Sequence, residues 1–253
     1  MIEFDNVYKW LGGRAVLDHI SFRVEKGETF VIVGSSGMGK SVTLKHMVRL
    51  LTPDSGRVLV AGESISEAKR SDLERIRERF GYLFQGGALL AWLSVFENVA
   101  LPLREKTTVS EEEIEARVMK TLKLVGLETD GEKNPSEISG GMRKRAGLAR
   151  AIIRNPEIIL YDEPTSGLDP VTSRTIDALI ESLRKELGVT SVVVTHDLHS
   201  ALSIGTRIAM LQGGKIVELS TPEQFIRSST PEVQGFLESQ FITRRGSWER
   251  KMT

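Results

Sequence analysis

A glycine-rich octapeptide constrains the fold of this 253-residue chain more than any other feature. It reads Gly34-Ser35-Ser36-Gly37-Met38-Gly39-Lys40-Ser41, the pattern GxxxxGK followed by Ser or Thr. The apolar run Thr29–Val33 precedes it, and apolar side chains recur at helical spacing from Leu44 to Leu51. A strand, a glycine loop and a helix in this order point backbone N–H groups at an anion at the positive end of the helix. The chain is therefore predicted to bind phosphate groups here.

The same pattern assigns roles along the loop. The residues predicted to contact ATP are the loop itself and Val42, the next residue. The ammonium of Lys40 would reach the β- and γ-phosphates, and the hydroxyl of Ser41 would hold Mg²⁺. A structural glycine turn without a ligand is the alternative, which the flanking strand and helix disfavour. ATP and Mg²⁺ are thus the predicted cofactors.

Two adjacent carboxylates follow an apolar strand in the second half of the chain. Asp162 and Glu163 come directly after Ile158–Tyr161. Asp162 would join the Mg²⁺ shell, and Glu163 would act as a catalytic base that polarises a water for attack on the γ-phosphate. An ordinary carboxylate pair at a strand end is the alternative, and the phosphate loop makes it the less favoured one.

Three single polar residues complete the predicted site. Gln85 follows the strand Gly81–Phe84 and would touch Mg²⁺ or the attacking water. His196 follows Ser191–Thr195 and would contact the γ-phosphate. Asp169 would cap the helix that follows it, bridge to a second subunit, or both. Ordinary polar surface remains the alternative for Gln85 and His196.

A second glycine turn, Ser139-Gly140-Gly141-Met142, begins another predicted helix. It lies far along the chain from Lys40. We expect the two turns of one chain to serve different nucleotide sites, each assembled from two copies of this fold. The basic cluster Arg143-Lys144-Arg145, with Arg150 and Arg154, could bind nucleic acid, and a solvated helix face is the favoured interpretation.

Strands alternate with helices through most of the chain, which indicates an α/β fold with a mostly parallel sheet covered on both faces. The strands Ile2–Val7 and Ala15–Val24 precede the phosphate loop, and a helical stretch interrupts the pattern after Gln85. Four segments are expected. They are the first part of an ATP-binding core at 1–85, a helical subdomain at 86–156, the second part of the core at 157–225 and a C-terminal extension at 226–253.

Composition disfavours several classes of protein. The 34 basic and 34 acidic residues give a net charge of zero, so no nucleic-acid partner is expected. No apolar run approaches the roughly 18 residues that span a bilayer, and the first residues lack the pattern of a secretory signal. The absence of cysteine fits a reducing cytoplasm.

The order of these motifs resembles the ATP-binding subunits of ABC transporters along nearly the whole chain. The matching motifs are the phosphate loop, Gln85, Ser139-Gly140-Gly141, Asp162-Glu163, Asp169 and His196. The resemblance implies a RecA-like P-loop NTPase core, an N-terminal antiparallel β-subdomain and an inserted helical subdomain with the ABC signature. It also implies a head-to-tail homodimer, in which the Ser139 turn of one subunit presses on the γ-phosphate bound by Lys40 of the other.

Two further stretches, Phe84–Leu90 and Val95–Glu105, together with Met142, look like the ATPases of Mce-associated (Mla-type) lipid transport systems. This narrower resemblance implies a location on the cytoplasmic face of the bacterial inner membrane, under integral-membrane permease subunits. Phospholipid or another hydrophobic molecule would be the cargo. An Mce-domain protein and a small STAS-domain protein would be further partners. An importer of amino acids or another small polar solute remains the alternative.

The sequence departs from the family pattern at two positions. Most relatives place an aromatic residue where this chain has Leu11, with Trp10 and Tyr8 nearby, so the group that stacks on adenine stays unassigned. Met142 replaces an amide that often contacts the opposing nucleotide. Ser139 and the backbone N–H groups would have to make that contact.

Two apolar segments are candidates for subunit contacts. Part of Ala88–Leu93 is expected to line a groove for a permease helix, with Trp92 as the central residue; filling the helical subdomain is the alternative. A last helix begins at Thr230-Pro231. It could pack on its own core or exchange onto the neighbouring subunit, and a role between subunits is favoured. Four apolar residues are expected on one side of it: Val233, Phe236, Leu237 and Phe241.

Three other classes of protein fit less well. A soluble ABC protein of DNA repair or translation usually carries two cassettes or a long coiled coil, and this chain shows neither. An unrelated P-loop kinase would leave the Ser139 turn and His196 without a role. A catalytically silent subunit would not need both Lys40 and Glu163.

Overall fold

A computed structural model describes residues 1–242, which form two β-sheets flanked by helices. The strands are β1 (Ile2–Leu11), β2 (Arg14–Val24), β3 (Thr29–Val33), β4 (Ser55–Val60), β5 (Glu63–Ser64), β6 (Phe80–Leu83), β7 (Ile158–Asp162), β8 (Thr190–Thr195), β9 (Arg207–Gln212) and β10 (Lys215–Ser220). The helices are α1 (Lys40–Met47), α2 (Arg70–Arg77), α3 (Val95–Lys106), α4 (Glu111–Leu124), α5 (Gly140–Ile152), α6 (Pro170–Leu187), α7 (Leu198–Ile204), α8 (Pro222–Ile226) and α9 (Pro231–Ser239). Residues 243–253, the end of the predicted C-terminal extension, lie outside the described residues.

The larger sheet brings the predicted site residues to one edge. Its strand order is β10-β9-β3-β8-β7-β6, and all neighbours pair in parallel except β10 with β9. Every residue of β3, β7 and β8 is buried, as expected for parallel strands covered on both faces. Because β8 pairs with both β3 and β7, their carboxyl ends lie side by side. The phosphate loop, His196 and the Asp162-Glu163 pair therefore converge there.

The smaller sheet confirms the expected N-terminal antiparallel β-subdomain. Its strand order is β2-β1-β4-β5, and each neighbouring pair is antiparallel. Three aromatic rings join it to the larger sheet. Phe22 stacks on Phe4 with centroids 4.5 Å apart and on Phe30 of β3 with centroids 5.1 Å apart. The apolar faces of the two sheets thus share one core beneath the phosphate loop.

Helices α3, α4 and α5 surround a separate apolar core, which includes Val99, Val118 and Ala149. Helix α5 also contacts the larger sheet, because a Cβ at Gly147 would lie 3.0 Å from the side chain of Leu83 in β6. The helical region is therefore attached to the ATP-binding core through α5.

Two helices end earlier than their apolar spacing predicts. Helix α1 ends at Met47 rather than near Leu51, and Arg49 then has a φ of 51°. Helix α9 ends at Ser239, and Phe241 has a φ of 57°. These left-handed conformations stop the helical repeat. The prediction that Phe241 shares the apolar side of the last helix is therefore wrong.

The apolar side of α9 is packed within its own chain. Val233, Phe236 and Leu237 belong to the core formed by the larger sheet and its outer helices, whereas Phe241 is 93% exposed. These contacts match the alternative in which the last helix packs on its own core, and a role between subunits stays a prediction.

Candidate nucleotide-binding site

The phosphate loop joins the buried end of β3 to the first turn of α1, and the surrounding backbone requires two of its glycines. A Cβ at Gly34 would lie 2.4 Å from the carbonyl oxygen of Leu211, and one at Gly39 would lie 2.8 Å from that of Val16. Both glycines have positive φ angles, 152° and 98°, which residues with side chains rarely adopt. The glycines of the motif are therefore required both by close packing against neighbouring strands and by the turn that precedes Lys40.

Lys40 is almost completely buried, and its ammonium is fixed inside the loop. Nζ donates to the carbonyl oxygens of Gly34 at 2.8 Å and Ser35 at 3.2 Å, and it lies 3.3 Å from Oε1 of Glu163. A buried charge is tolerated only when it has such partners. The loop thus combines one fixed positive charge with the free N–H groups at the start of α1, an arrangement suited to phosphate.

Ser41 in the first turn of α1 meets Asp162 at the end of β7. The Ser41 hydroxyl donates to Oδ1 of Asp162 at 2.6 Å, and the Tyr82 hydroxyl donates to Oδ2 at 3.5 Å. Burial raises the pKa of Asp162, and the hydrogen bond from Ser41 partly opposes the rise. The structure thus brings together two of the three predicted Mg²⁺ ligands.

The oxygen atoms of Ser41 and Asp162 form a donor set that fits Mg²⁺, a hard cation that takes oxygen ligands. Within residues 1–242, no three His, Cys, Asp or Glu side chains lie close enough to hold a metal by themselves. A Mg²⁺ ion would therefore rely on substrate phosphate for part of its shell, which is usual for this ion. Gln85, the third predicted ligand, is exposed and lines the same cleft.

Glu163 is buried, and both of its carboxylate oxygens have partners. Oε1 faces Lys40, while Oε2 lies 2.7 Å from Nδ1 of His196 and accepts the His196 backbone N–H at 3.3 Å. Glu163 also has a φ of 51°, which is uncommon for a residue with a side chain and occurs at strained functional sites. The carboxylate is thereby oriented between a fixed cation and an exposed imidazole.

A cleft of about 800 Å³ opens beside the loop, within the usual range for a small-molecule site. Lys40, Ser41, Gln85 and Glu163 line it together with residues around the β1–β2 hairpin: Leu11, Gly12, Arg14 and Val16. Arg14 Nη2 donates to the carbonyl oxygen of Gly37 at 2.7 Å, which ties the hairpin to the phosphate loop. The cleft is thus bounded by both sheets.

No aromatic residue of the described chain lines this cleft. Of the three residues considered for base stacking, Leu11 lines the cleft, whereas Trp10 is half exposed elsewhere on the hairpin. Tyr8 stacks on His19 with ring centroids 5.1 Å apart. The hairpin therefore provides aliphatic side chains and the guanidinium of Arg14 as the groups that a nucleotide base could contact.

The second glycine turn lies outside the cleft that holds Lys40. Ser139 caps α5 by accepting the N–H of Met142 at 3.2 Å, and its side chain is otherwise exposed. Among the described residues that line the cleft, none belongs to Ser139-Gly140-Gly141. Met142 packs against the helical core. The structure therefore separates the two glycine turns of one chain.

The Ser139 turn packs against the start of α6 in its own chain. A Cβ at Gly141 would lie 2.5 Å from the methyl group of Thr172, so this glycine is needed for the contact. Asp169 caps α6 by accepting the N–H groups of Val171 at 2.9 Å and Thr172 at 3.0 Å. The capping role considered for Asp169 is thus present, and its carboxylate remains exposed at the same surface.

The interpretation of Arg143-Lys144-Arg145 as a solvated helix face is wrong. Lys144 is only 4% exposed, and its ammonium donates to the carbonyl oxygen of Glu163 at 2.9 Å. The two arginines donate to main-chain carbonyl groups of the helical region. For Lys144, the one signal in the sequence was a run of cations near a helix N-terminus, where the helix dipole disfavours positive charge. Sequence reasoning also missed Arg14, for which the sequence carries no signal.

The comparison with protein families decides the identity of the fold. Residues 17–166, more than half of the chain, match the family model described as "ABC transporter". The chain belongs to the ABC transporter family. The matched region contains the phosphate loop, the Ser139 turn and the Asp162-Glu163 pair, and it ends before Asp169 and His196. As a family member, the chain is an ATP-binding and ATP-hydrolysing subunit.

Curated relatives of this ABC protein cover nearly all of its length. It is 41% identical over 250 residues to the "Probable ribonucleotide transport ATP-binding protein mkl" of Mycobacterium leprae, covering 99% of this chain and 72% of that protein. It is 40% identical over 238 residues to the "Intermembrane phospholipid transport system ATP-binding protein MlaF" of Escherichia coli K12, covering 94% and 88%. The MlaF of Haemophilus influenzae is 39% identical over 240 residues, covering 95% and 91%.

Solved ABC cassettes share the fold. A dimeric post-hydrolysis structure of the ATP-binding cassette MJ0796 bound to ADP and Pi aligns with a TM-score of 0.81 and 34% identity. The alignment covers 88% of this chain and 99% of that one. The expected P-loop ABC ATPase core is therefore confirmed.

Proposed function

We propose that this ATPase powers the transport of phospholipid or another lipid between the membranes of a bacterium. The observation that carries the proposal is its 39–40% identity to two MlaF proteins, of which it covers 88–91%. The Phe84–Leu90 and Val95–Glu105 stretches support the same branch of the family. Transport of a small polar solute is the second candidate, because relatives at 41% identity carry a ribonucleotide transport name.

The geometry supports specific roles in ATP hydrolysis. The loop Gly34–Ser41 and Val42 bind the phosphates, and Lys40 neutralises their charge. Glu163 accepts a proton from the attacking water, while Lys40 and His196 hold its carboxylate in place. His196 would also contact the γ-phosphate. Ser41, Asp162 and Gln85 would hold Mg²⁺, which would draw charge from the phosphate oxygens.

The site is proposed to be completed by a second copy of the chain. The N-terminus of α5, with Ser139, Gly140 and Gly141, would face the γ-phosphate bound by Lys40 of the other subunit. The exposure of Ser139 and its absence from the cleft of its own described chain support this arrangement. The dimeric state of the similar cassette MJ0796 supports it as well. Asp169 would lie at the same subunit boundary.

The ATPase dimer is proposed to bind permease subunits at the cytoplasmic face of the bacterial inner membrane. Among residues 1–242, no helix has the length and apolar character needed to cross a bilayer. Trp92 is 76% exposed and Phe84 is 38% exposed, so both are accessible for a contact next to Gln85. An Mce-domain protein and a small STAS-domain protein would complete the assembly.

Co-purification from native membranes tests the proposal. Wild type should retain a permease, an Mce-domain protein and bound lipid. Trp92→Ala should lose the permease while still binding ATP, and Trp10→Ala, which alters another exposed tryptophan, should keep it. Recovery of a permease with a polar-solute receptor, and no Mce-domain protein or lipid, would favour the second candidate.

A further inference from the structure

Lys144 is a buried cation that the hydrolysis scheme does not use. It lies in α5, shortly after the Ser139 turn, and its ammonium donates three hydrogen bonds. The acceptors are the carbonyl oxygen of Glu163 at 2.9 Å, the carbonyl oxygen of Ser166 at 2.7 Å and the hydroxyl oxygen of Ser166 at 3.1 Å. All three ammonium protons are thus engaged.

Burying this cation is unfavourable for folding. The three acceptors of its hydrogen bonds are neutral oxygens. Desolvation accordingly lowers the pKa of Lys144 to about 8. A methionine of similar length would fill the same space without that desolvation. The cation is therefore better explained by what its hydrogen bonds hold in place than by packing.

The hydrogen bonds of Lys144 fix the main chain that carries the catalytic carboxylate. The N–H of Glu163 donates to the carbonyl oxygen of Val194 at 2.9 Å. The carbonyl oxygen of Glu163 accepts two hydrogen bonds, one from the Lys144 ammonium and one from the Ser166 hydroxyl, each at 2.9 Å. The peptide groups on both sides of this strained residue are thereby anchored. A change at Lys144 would move the carboxylate relative to Lys40 and His196.

We propose that Lys144 is a positioning residue that couples the two nucleotide sites of the dimer. This inference rests on the proposed roles of Glu163 and of the Ser139 turn. In the dimer, the Ser139 turn of each chain faces the nucleotide held by the other chain, whereas Glu163 acts on its own nucleotide. Lys144 joins the helix that begins at that turn to Glu163 across about 7.5 Å of rigid helix. ATP at one site is thereby sensed at the catalytic carboxylate of the other.

The test compares Lys144→Met with Arg145→Met in the full-length chain. Both substitutions remove a cation of α5 that donates to main-chain carbonyl groups. The acceptors of Arg145 are the carbonyl oxygens of Val125 and Gly126, which lie in the helical region and not in the segment that carries Glu163. Lys144→Met should lower kcat by roughly 10- to 100-fold, because a small misplacement of a catalytic group has effects of this size. Its KM for ATP should stay within about threefold, since no phosphate contact is lost.

Cooperativity supplies the readout that simple structural damage would not change. Wild type should show a Hill coefficient for ATP above 1, and Lys144→Met should reduce it to about 1. Arg145→Met should retain the wild-type coefficient. Ser166→Ala removes one acceptor of Lys144 and one donor to the Glu163 carbonyl oxygen while it leaves Lys144 in place, so it should show the same change to a smaller degree. This milder variant keeps the test decisive if Lys144→Met folds poorly in a thermal melt.

Two outcomes separate failure of the inference from failure of the proposed site. If Glu163→Gln hydrolyses ATP at the wild-type rate, the proposed role of Glu163 is wrong and the coupling scheme is overturned with it. If Glu163→Gln is inactive while Lys144→Met and Ser166→Ala keep wild-type kcat and cooperativity, only the coupling role of Lys144 is overturned.

Discussion

The phosphate loop and the Ser139 turn are both glycine-rich, both begin a helix and both present a hydroxyl group, yet their surroundings differ. In the phosphate loop, Gly34 and Gly39 have positive φ angles and contact main chain from other strands. In the Ser139 turn, a Cβ added at Gly140 would meet only ordinary contacts, with the side chain of Leu168 at 3.7 Å and that of Arg143 at 3.8 Å. Lys40 is buried, whereas Ser139 is exposed.

In the proposed dimer, this difference indicates where each half of the site is organised. The phosphate loop is held by its own chain, so its charged and polar groups are in place before a nucleotide arrives, and little reorganisation is needed. Within residues 1–242, the hydroxyl group of Ser139 makes its capping hydrogen bond and no other. A helix N-terminus that is exposed in one chain can bind an anion held by a second chain. Three predictions test this division of the site between two chains, and a fourth concerns the hairpin side of the cleft.

The largest effect is expected for Glu163→Gln. Turnover should fall by roughly 10²- to 10⁴-fold, because the amide cannot accept a proton from water. ATP binding should persist, and an ATP-bound dimer should accumulate, which size-exclusion chromatography with ATP would detect. Lys40→Ala is the contrasting variant, since it should weaken ATP binding itself by roughly 10- to 100-fold. Near-normal hydrolysis by Glu163→Gln would remove this residue from the proposed role.

The next effect separates the two turns. Gly140→Asp should fold, because a Cβ fits at this position, but its carboxylate would repel the γ-phosphate held by the other subunit. We expect hydrolysis to drop by roughly 100-fold while a single chain still binds ATP with nearly wild-type affinity. Equilibrium ATP binding and steady-state turnover are the measurements. Equal loss of both would place the turn in the same half-site as Lys40.

Mixing two inactive variants gives an intermediate effect. A heterodimer of Lys40→Ala and Gly140→Asp contains one intact site, formed by Lys40 of one chain and the Ser139 turn of the other. With random exchange, about half of the dimers are mixed, so activity should recover to at most about a quarter of wild type, the value for independent sites. Coupling of the two sites through Lys144 would lower this value, and Lys144→Met in both chains is the control for that effect. No recovery in either background after verified subunit exchange would argue that each chain forms its site alone.

The smallest effect concerns the hairpin side of the cleft. Leu11→Tyr introduces an aromatic ring where Leu11 now lines the cleft, and base stacking is worth about 1–3 kcal/mol. The KM for ATP should fall by roughly fivefold or more, with kcat little changed. Leu50→Tyr, at an exposed leucine that does not line the cleft, is the matched control. An unchanged KM would mean that the base does not contact residue 11.

The sequence predicted the components of the site better than their connections. Strand β3 with the phosphate loop, and strand β7 with Asp162, were predictable because each combines a continuous apolar run with a polar residue at its end. The burial of Lys144 and the contact of Arg14 with Gly37 were not, because each joins segments separated by many residues. Three consecutive cations on a helix are most often solvated, and here only packing shows otherwise.

The ends of helices show the same limit. Apolar spacing predicted the faces of α1 and α9. It did not predict their ends, because Arg49 and Phe241 adopt left-handed conformations that are usually found at glycine. Such conformations depend on how the following residues pack and are invisible to periodicity.

By itself, the sequence determined which strands are buried and in what order the motifs follow, and it predicted which residues would meet phosphate, because these properties depend on local backbone geometry and on the apolar pattern. Tertiary structure alone decided that Glu163 is oriented by Lys40 and His196 and that Lys144 holds its main chain. The reason is physical: burial and close approach between distant segments are set by the packing of the whole chain, and no short stretch of residues encodes them.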